Sequence, residues 1–149
     1  MIIRQIVPFA CSLMFLFSGC LTDDPWEQED IAVQEYLEAN GITELPKASG
    51  LYYIETKAGT GAQAIAGKKA KVKYVGTFLD GRQFDSGTFT FTVGAGQVIA
   101  GWDEGISYMK QGGQALLIIP SDLGYGQYGY GNIPGYTPLL FTVELLAVN

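Results

Sequence analysis

The sequence predicts an α+β fold in which a twisted antiparallel sheet of about five strands wraps on one short helix, with an extra helix near the N-terminus. Apolar and polar residues alternate along several segments after residue 50, a pattern typical of half-buried strands. Helical spacing of apolar residues occurs in residues 29–41 and 102–110. With 149 residues, the chain is long enough for one domain with a substantial core and too short for two domains of ordinary size.

Composition excludes several classes of function. Apolar residues make up 48% of the chain and charged residues 16%, which indicates a folded globule rather than a disordered chain. The net charge of −6 and the absence of a basic stripe argue against a nucleic-acid partner. The chain contains no histidine, so it lacks the usual proton shuttle at neutral pH and the commonest metal ligand. We therefore expect neither a metal nor another cofactor.

Residues 1–19 are predicted to be a signal peptide. Arg4 is the lone charge in this segment, residues 6–17 are largely apolar, and the run is too short for a membrane span. The ending "FSGC" resembles a bacterial lipoprotein box, which implies that Cys20 is lipidated and becomes the mature N-terminus. Phe17 stands where such boxes more often carry leucine. The alternative is a plain secreted protein that the ordinary signal peptidase cleaves.

The two cysteines agree with this interpretation. Cys11 would leave with the signal peptide and Cys20 would be modified, so the mature chain would hold neither a free thiol nor a disulfide framework. Leu21 follows Cys20, where an aspartate would indicate retention in the inner membrane. By resemblance to known sorting rules, we expect a cell-envelope lipoprotein, in the outer membrane, that faces the periplasm or the surface.

Residues 20–48 are expected to comprise the lipidated cysteine, an acidic tether and a short helix. "LTDDPWEQED" is typical of a tether, and "EDIAVQEYLEANG" has acidic residues in its first turn and a glycine at its end, as helices prefer. Val33, Tyr36 and Leu37 fall on one face of this helix. The helix either caps the domain or forms a dimer, and because about three turns are short for dimerisation, we expect a cap and a monomer.

Five strand candidates follow: "LYYIETK", "AKVKYVGTFLDGRQFD", "TFTFTV", "QALLIIP" and "LLFTVELLAV". Asp80-Gly81 in the second candidate predicts a hairpin. The third alternates cleanly, so Phe89, Phe91 and Val93 are expected to point inward.

The helix predicted at residues 102–110 places Trp102, Ile106 and Met109 on one face, and Gly112-Gly113 is expected to end it. Trp102 lies between Gly101 and Gly105. We predict that these glycines leave space above the indole, so that the ring forms the floor of a hollow.

Four blocks carry a resemblance to a known family: "KVKYVGTFLDGRQFDSG", "VIAGWDEG", "LIIPSDLGYG" and "LLFTVELL". In this order and spacing they resemble the FKBP family of peptidyl-prolyl cis-trans isomerases, the receptors of macrolide immunosuppressants. The resemblance covers about residues 49–148, and it implies an FKBP-like isomerase domain at residues 49–149. It also implies proline-containing polypeptides as partners and macrolides as inhibitors.

The resemblance places the family's prolyl pocket on ten residues. It implies that Trp102 is the floor, that the Tyr125 hydroxyl bonds a substrate carbonyl, and that the Ile99 N–H is a second anchor. The residues implied to be catalytic are Tyr74, Phe84, Asp85, Trp102, Tyr125 and Phe141, and those implied to bind substrate are Phe89, Val98, Ile99 and Ile133.

Each of these residues also has a simpler interpretation. The aromatic rings are explained equally by ordinary core packing. Tyr74 is then a core tyrosine whose hydroxyl needs a partner, for which we predict Asp85. Asp85 itself could be a turn residue.

The implied function is isomerisation of X–Pro bonds in exported proteins, which assists folding in the cell envelope. The barrier, about 20 kcal/mol, arises from resonance in the C–N bond, and no bond is broken, so no nucleophile or metal is needed. Alternatives are a lipoprotein that binds proline segments with little turnover, and a structural or adhesive surface protein.

Two segments depart from the family pattern. Only "SGT" separates Asp85 from Phe89, without the longer bulge and basic residue usual there, which puts full activity and macrolide affinity in doubt. The loop "GQYGYGNIPGYTP" is too short for an inserted chaperone domain, and its glycines and tyrosines predict a mobile aromatic rim over the pocket.

Overall fold

A computed structural model describes residues 23–149. A five-stranded antiparallel sheet has the strand order β1-β4-β5-β2-β3, and two helices accompany it, which confirms the predicted fold class. The predicted signal peptide and Cys20 lie outside the described residues. The elements are α1 (Pro25–Ala39), β1 (Tyr52–Lys57), β2 (Lys69–Thr77), β3 (Gln83–Thr92), α2 (Ala100–Ser107), β4 (Gln114–Ile119), a 3-10 turn (Ser121–Leu123) and β5 (Leu139–Val148).

Helix α1 begins earlier than the sequence predicted. The Asp24 side chain accepts a hydrogen bond from the Trp26 N–H at 3.0 Å, and Pro25 occupies the first turn, where its missing N–H is not needed. Residues 25–28, assigned to the tether, are therefore helical. The sequence does contain a signal for this start, since Asp24 is a favourable N-cap residue and Pro25 follows it.

Helix α1 caps the outer face of the sheet. Val33 and Leu37 are buried against an outer cluster that also contains Tyr52, Ile118 and Leu140. Because side chains alternate along a strand, the neighbours of these strand residues point to the opposite face, where the main core lies. The amphipathic face that the sequence predicted is thus used within the same chain. Neither helix of residues 23–149 is long and apolar enough to cross a membrane.

Helix α2 lies close against the inner face, and its glycines have a different function from the one predicted. A Cβ on Gly101 would lie 2.5 Å from Ile119 Cγ2, and a Cβ on Gly105 would lie 2.9 Å from Leu117 Cδ1. Both glycines therefore face β4 and let the helix backbone approach the sheet. The prediction that they leave space above the indole is wrong.

Helix α2 also ends sooner than predicted. It spans Ala100–Ser107, and Lys110 lies beyond it in a bridge with Gln63. The Gln63 side-chain amide donates to the carbonyl oxygens of Ser107 at 2.7 Å and Met109 at 3.0 Å. These carbonyls are satisfied from outside the helix, so a further turn is not needed to pair them.

The β2–β3 hairpin confirms the turn predicted at Asp80-Gly81. The Phe78 N–H donates to the Arg82 carbonyl at 2.9 Å, and Gly81 has a φ of 85°, which glycine adopts without strain. The pairing of β2 with β3 is regular from Lys69↔Thr92 to Gly76↔Asp85. The short segment between Asp85 and Phe89 therefore forms continuous strand.

Candidate active site

An open cavity of about 230 Å³ lies between the inner face of the sheet and the start of α2. Nine of the ten residues on which the family resemblance places the pocket line it, together with Gln97, which was not among the predicted residues. The lining residues are Tyr74, Phe84, Asp85, Phe89, Gln97, Val98, Ile99, Trp102, Tyr125 and Phe141.

The floor of the cavity is the Trp102 indole, which is 5% exposed. Two rings lie nearly perpendicular to it: the Tyr74 ring at 5.0 Å and 82°, and the Phe141 ring at 5.3 Å and 84°, with distances taken between ring centroids. Such edge-to-face contacts favour one orientation of each ring. The indole N–H is buried and has no hydrogen-bond partner among residues 23–149.

The segment before α2 is held in place by two side chains. The Asp103 carboxylate accepts hydrogen bonds from the Gly94 N–H at 2.9 Å and the Gly96 N–H at 2.8 Å. The Gln97 side-chain carbonyl accepts one from the Thr92 N–H at 2.9 Å. Val98 and Ile99, which follow directly, are thereby fixed at the cavity edge. Gln97 gave no signal in the sequence beyond its position immediately before "VIAGW".

The aromatic wall depends on a glycine in β2. The Phe84 and Phe141 rings pack edge to face, with centroids 5.5 Å apart. A Cβ on Gly76 would lie 2.7 Å from the Phe84 ring and 2.9 Å from the Phe141 ring. Only a residue without a side chain lets both rings lie over the strand at this point. Gly76 is therefore a structural requirement of the wall, which no local pattern in the sequence indicates.

Tyr74 and Asp85 are paired, as predicted. The Tyr74 hydroxyl donates to Asp85 Oδ2 at 2.8 Å, and Asp85 Oδ1 accepts from the Ser86 N–H at 2.8 Å. Burial, followed by the hydrogen bond to Asp85 and its negative charge, raises the pKa of Tyr74 to about 12. The hydroxyl is therefore neutral at physiological pH. Among residues 23–149, no cation pairs with Asp85, and Arg82 pairs with Asp80 instead.

Two hydrogen-bond donors at the cavity are free. The Tyr125 hydroxyl and the Ile99 N–H have no partner among the residues that the structure describes. Burial, followed by the negative charge of Asp85 and by Tyr130, raises the pKa of Tyr125, so this hydroxyl also keeps its proton. Both groups are available to a carbonyl oxygen that enters the cavity.

Phe89 and Ile133 were both predicted to line the pocket, and the structure places only one of them there. Phe89 lies on the same inner face of β3 as Phe91 and lines the cavity, as predicted, but it is 47% exposed and so belongs to the cavity rim and not to the buried core. Ile133 is buried in the main core and does not line the cavity. It forms a bridge with Tyr130, whose ring stacks on Tyr125 with centroids 5.3 Å apart. Ile133 therefore contributes to the site indirectly: its backbone pairs with Tyr130, and the Tyr130 ring stacks on Tyr125.

The comparison with known families is decisive. Residues 61–146 match the family model of FKBP-type peptidyl-prolyl cis-trans isomerases. The chain belongs to this family. Its activity is accordingly that of a peptidyl-prolyl cis-trans isomerase, and the cluster of rings around Trp102 is consistent with the prolyl pocket of such an enzyme. Within residues 23–149, no group of acidic, cysteine or histidine side chains is arranged to hold a metal ion.

Relatives with known names support the assignment. An FK506-binding protein of Neisseria meningitidis serogroup B is 46% identical over 105 residues, which cover 66% of this chain and 96% of that protein. The FKBP-type peptidyl-prolyl cis-trans isomerase FkpA of Aeromonas hydrophila is 44% identical over 122 residues, which cover 77% of this chain and 45% of that protein.

Solved structures agree with these relatives. The crystal structure of FkpA from Escherichia coli has a TM-score of 0.73 and 34% identity, covering 83% of this chain and 60% of that one. A peptidyl-prolyl cis-trans isomerase of Pseudomonas syringae pv. tomato has a TM-score of 0.71 and 34% identity, covering 86% of this chain and 98% of that one.

Proposed function

We propose that this FKBP-type isomerase acts on X–Pro bonds of exported polypeptides by seating the proline ring over Trp102 in the aromatic cavity. The observation that carries the proposal is the open recess itself: its floor is a buried indole, rings form its walls, and free donors lie at its edge. A recess filled by the protein's own side chains would suit a structural protein instead.

The proposed mechanism is differential binding. In the planar imide, resonance separates charge between the carbonyl oxygen and the nitrogen, and water stabilises that charge. Transfer into an apolar recess removes this solvation and favours the twisted form, in which resonance is lost. An acceleration of a thousandfold to a millionfold requires about 4–8 kcal/mol. No proton is transferred, which suits a site whose hydroxyl groups keep their protons.

Separate groups have separate proposed tasks. The Tyr125 O–H and the Ile99 N–H donate to carbonyl oxygens of the bound peptide and hold its backbone while the bond rotates. The Tyr74–Asp85 hydrogen bond holds the Tyr74 ring nearly perpendicular to the indole. Phe84 and Phe141 exclude water from the side of the recess.

The role of the floor is tested by Trp102→Leu, for which we expect kcat/KM on a chromogenic X–Pro peptide to fall by about 10- to 100-fold. Tyr53→Leu is the control, because Tyr53 packs against the same core without lining the cavity. Tyr125→Phe, which removes only the hydroxyl oxygen, is expected to lower kcat/KM by about tenfold. Full turnover in both the Trp102 and Tyr125 variants would contradict the proposed site.

We further propose that the cavity binds macrolides. Support comes from the FK506-binding protein of N. meningitidis, which shares 46% identity with this chain, and from the rings that line the recess. FK506 should inhibit the isomerase competitively and quench Trp102 fluorescence. Inhibition that excess X–Pro peptide cannot relieve would place the ligand elsewhere.

We also propose that the enzyme is a monomeric lipoprotein of the cell envelope, with a signal peptide at residues 1–19 and a lipid anchor on Cys20. The support is the sequence "FSGC" after an apolar run. Cells that express the full chain should incorporate labelled palmitate into the protein, and Cys20→Ala should abolish the label. Cys11→Ala is the matched control and should leave it unchanged. Label that persists in Cys20→Ala would refute the anchor.

A further inference from the structure

Helix α1 lies outside the part of the chain that matches the isomerase family, yet it contacts the segment that carries Tyr125. The first contact is a buried carboxylate. Glu29 is 5% exposed, and its two oxygens accept hydrogen bonds from the Ser121 N–H and the Ser121 hydroxyl, each at 2.5 Å. Ser121 is itself 1% exposed. Charge-assisted hydrogen bonds in a buried setting are among the stronger ones in proteins.

Ser121 in turn holds both neighbours of Tyr125. Its carbonyl oxygen accepts from the Gly124 N–H at 3.0 Å and from the Gly126 N–H at 2.7 Å. The Tyr125 backbone is therefore enclosed between two hydrogen bonds to one oxygen atom. The position of that oxygen depends on where Glu29 holds Ser121.

A second route from α1 reaches the same place. The Trp26 ring packs edge to face on the Tyr136 ring, with centroids 4.8 Å apart. The Tyr136 N–H donates to the Gly126 carbonyl at 3.0 Å. Tyr136 has a φ of 53°, in the left-handed region that non-glycine residues rarely adopt. The contact with Trp26 helps to keep it there.

We propose that Glu29 is a positioning residue for Tyr125, and that α1 thereby tunes the isomerase site from the far side of the sheet. Glu29 fixes Ser121, Ser121 fixes the glycines on either side of Tyr125, and Trp26 supports the same glycine through Tyr136. The proposal rests on the proposed role of the Tyr125 hydroxyl as a donor to the substrate.

Glu29→Ala in the full-length chain tests the proposal. Without the carboxylate, Ser121 loses both acceptors, and we expect kcat/KM on an X–Pro peptide to fall by about threefold to tenfold. Glu29→Gln should restore most of the activity, because the amide can accept from the Ser121 N–H and donate to its hydroxyl oxygen. Glu35→Ala is the matched control: Glu35 is an exposed acid on the same helix, and its removal should leave kcat/KM unchanged.

A double-mutant cycle separates positioning from a general loss of stability. In a Tyr125→Phe background, Glu29→Ala should cause no further loss of kcat/KM, because the hydroxyl that it positions is already absent. An equal loss in both backgrounds would overturn the proposal, as would unchanged activity of Glu29→Ala. Full activity of Tyr125→Phe alone would instead refute the proposed role of the hydroxyl, and the positioning with it.

Trp26→Ala gives an independent measurement if Glu29→Ala does not fold. The Trp26 side chain is 43% exposed, so its loss leaves the core intact. We expect a smaller fall in kcat/KM that also disappears in the Tyr125→Phe background. A fall that persists there would count against the coupling between α1 and Tyr125.

Discussion

The two faces of the sheet are covered by helices that make different kinds of contact. On the inner face, α2 approaches through backbone, because Gly101 and Gly105 lie against Ile119 and Leu117 with no room for a methyl group. On the outer face, α1 approaches through side chains, with Val33 and Leu37 in the outer cluster. Contact through backbone leaves little tolerance, whereas contact through flexible side chains adapts to small changes.

This difference divides the candidate active site into two parts. Trp102 belongs to the tightly packed inner helix, so the floor of the cavity is held by the core itself. Tyr125 belongs to a surface segment, and its neighbours are held by a few hydrogen bonds. We therefore expect substitutions in the core to alter the position of Trp102, and substitutions in α1 to alter the position of Tyr125.

Gly101→Ala is expected to have the largest effect on the free energy of unfolding, a loss of about 3 kcal/mol, because the new methyl group would overlap Ile119. Gly87→Ala is the matched control: its Cβ would lie 3.8 Å from Tyr74, an ordinary contact. Urea unfolding of both variants measures the difference. Equal stability would mean that α2 can move away from the sheet freely, and the comparison between the faces would fail.

Leu37→Ala should have a smaller effect, a loss of about 2 kcal/mol, because the outer cluster can partly close around the space. Its kcat/KM should stay within about twofold of the wild type, because α1 reaches the cavity through Trp26 and Glu29 at its other end. Urea unfolding and the peptide assay give the two values. A large loss of activity here would show that the whole helix, and not its first turns, supports the site.

Tyr74→Phe should have the smallest effect, about 1 kcal/mol at neutral pH, because one hydrogen bond to Asp85 is lost. The pKa of Tyr74 rises from its ordinary value of 10.0 to about 12 on folding. Since the folded value is the higher one, this contribution is complete below about pH 10 and is lost as the pH rises through about 12. The free energy of unfolding, measured from about pH 8 to about pH 12, should therefore decline less steeply in the variant, because this titration lowers stability as the pH rises from 10.0 towards about 12.

Tyr53→Phe is the control for this measurement. Burial, followed by the charge and the proximity of Glu55, also raises the pKa of Tyr53 to about 12, but the buried hydroxyl makes no hydrogen bond of good geometry with Glu55 or any other of residues 23–149. We therefore expect the same gentler decline at high pH without a loss of stability at neutral pH. If Tyr53→Phe lowered the free energy of unfolding at neutral pH as much as Tyr74→Phe does, the hydrogen bond to Asp85 would not explain the effect of Tyr74→Phe.

Local patterns in the sequence were sufficient for most of the fold. The alternation in "TFTFTV" and the Asp80-Gly81 turn predict β3 and its hairpin, because strand faces and tight turns depend on neighbouring residues. The four family blocks placed eight of the cavity's lining residues, including Trp102 and Tyr125, and the resemblance added Phe89 from the segment that follows the first block. The Tyr74–Asp85 pair also followed from the sequence, since a buried hydroxyl needs a partner nearby.

Other features depend on contacts between distant parts of the chain. In the sequence, Gly101 and Gly105 suggested room for a ligand beside Trp102. Their short distances to Ile119 and Leu117 show instead that they let α2 pack closely on β4. Ile133 matched a pocket position of the family, but its backbone pairs with Tyr130 and its side chain is buried in the main core. Glu29 looked like any acid in a first helical turn until it was placed on Ser121, 92 residues away. Such partners are brought together by the sheet, so no local pattern predicts them.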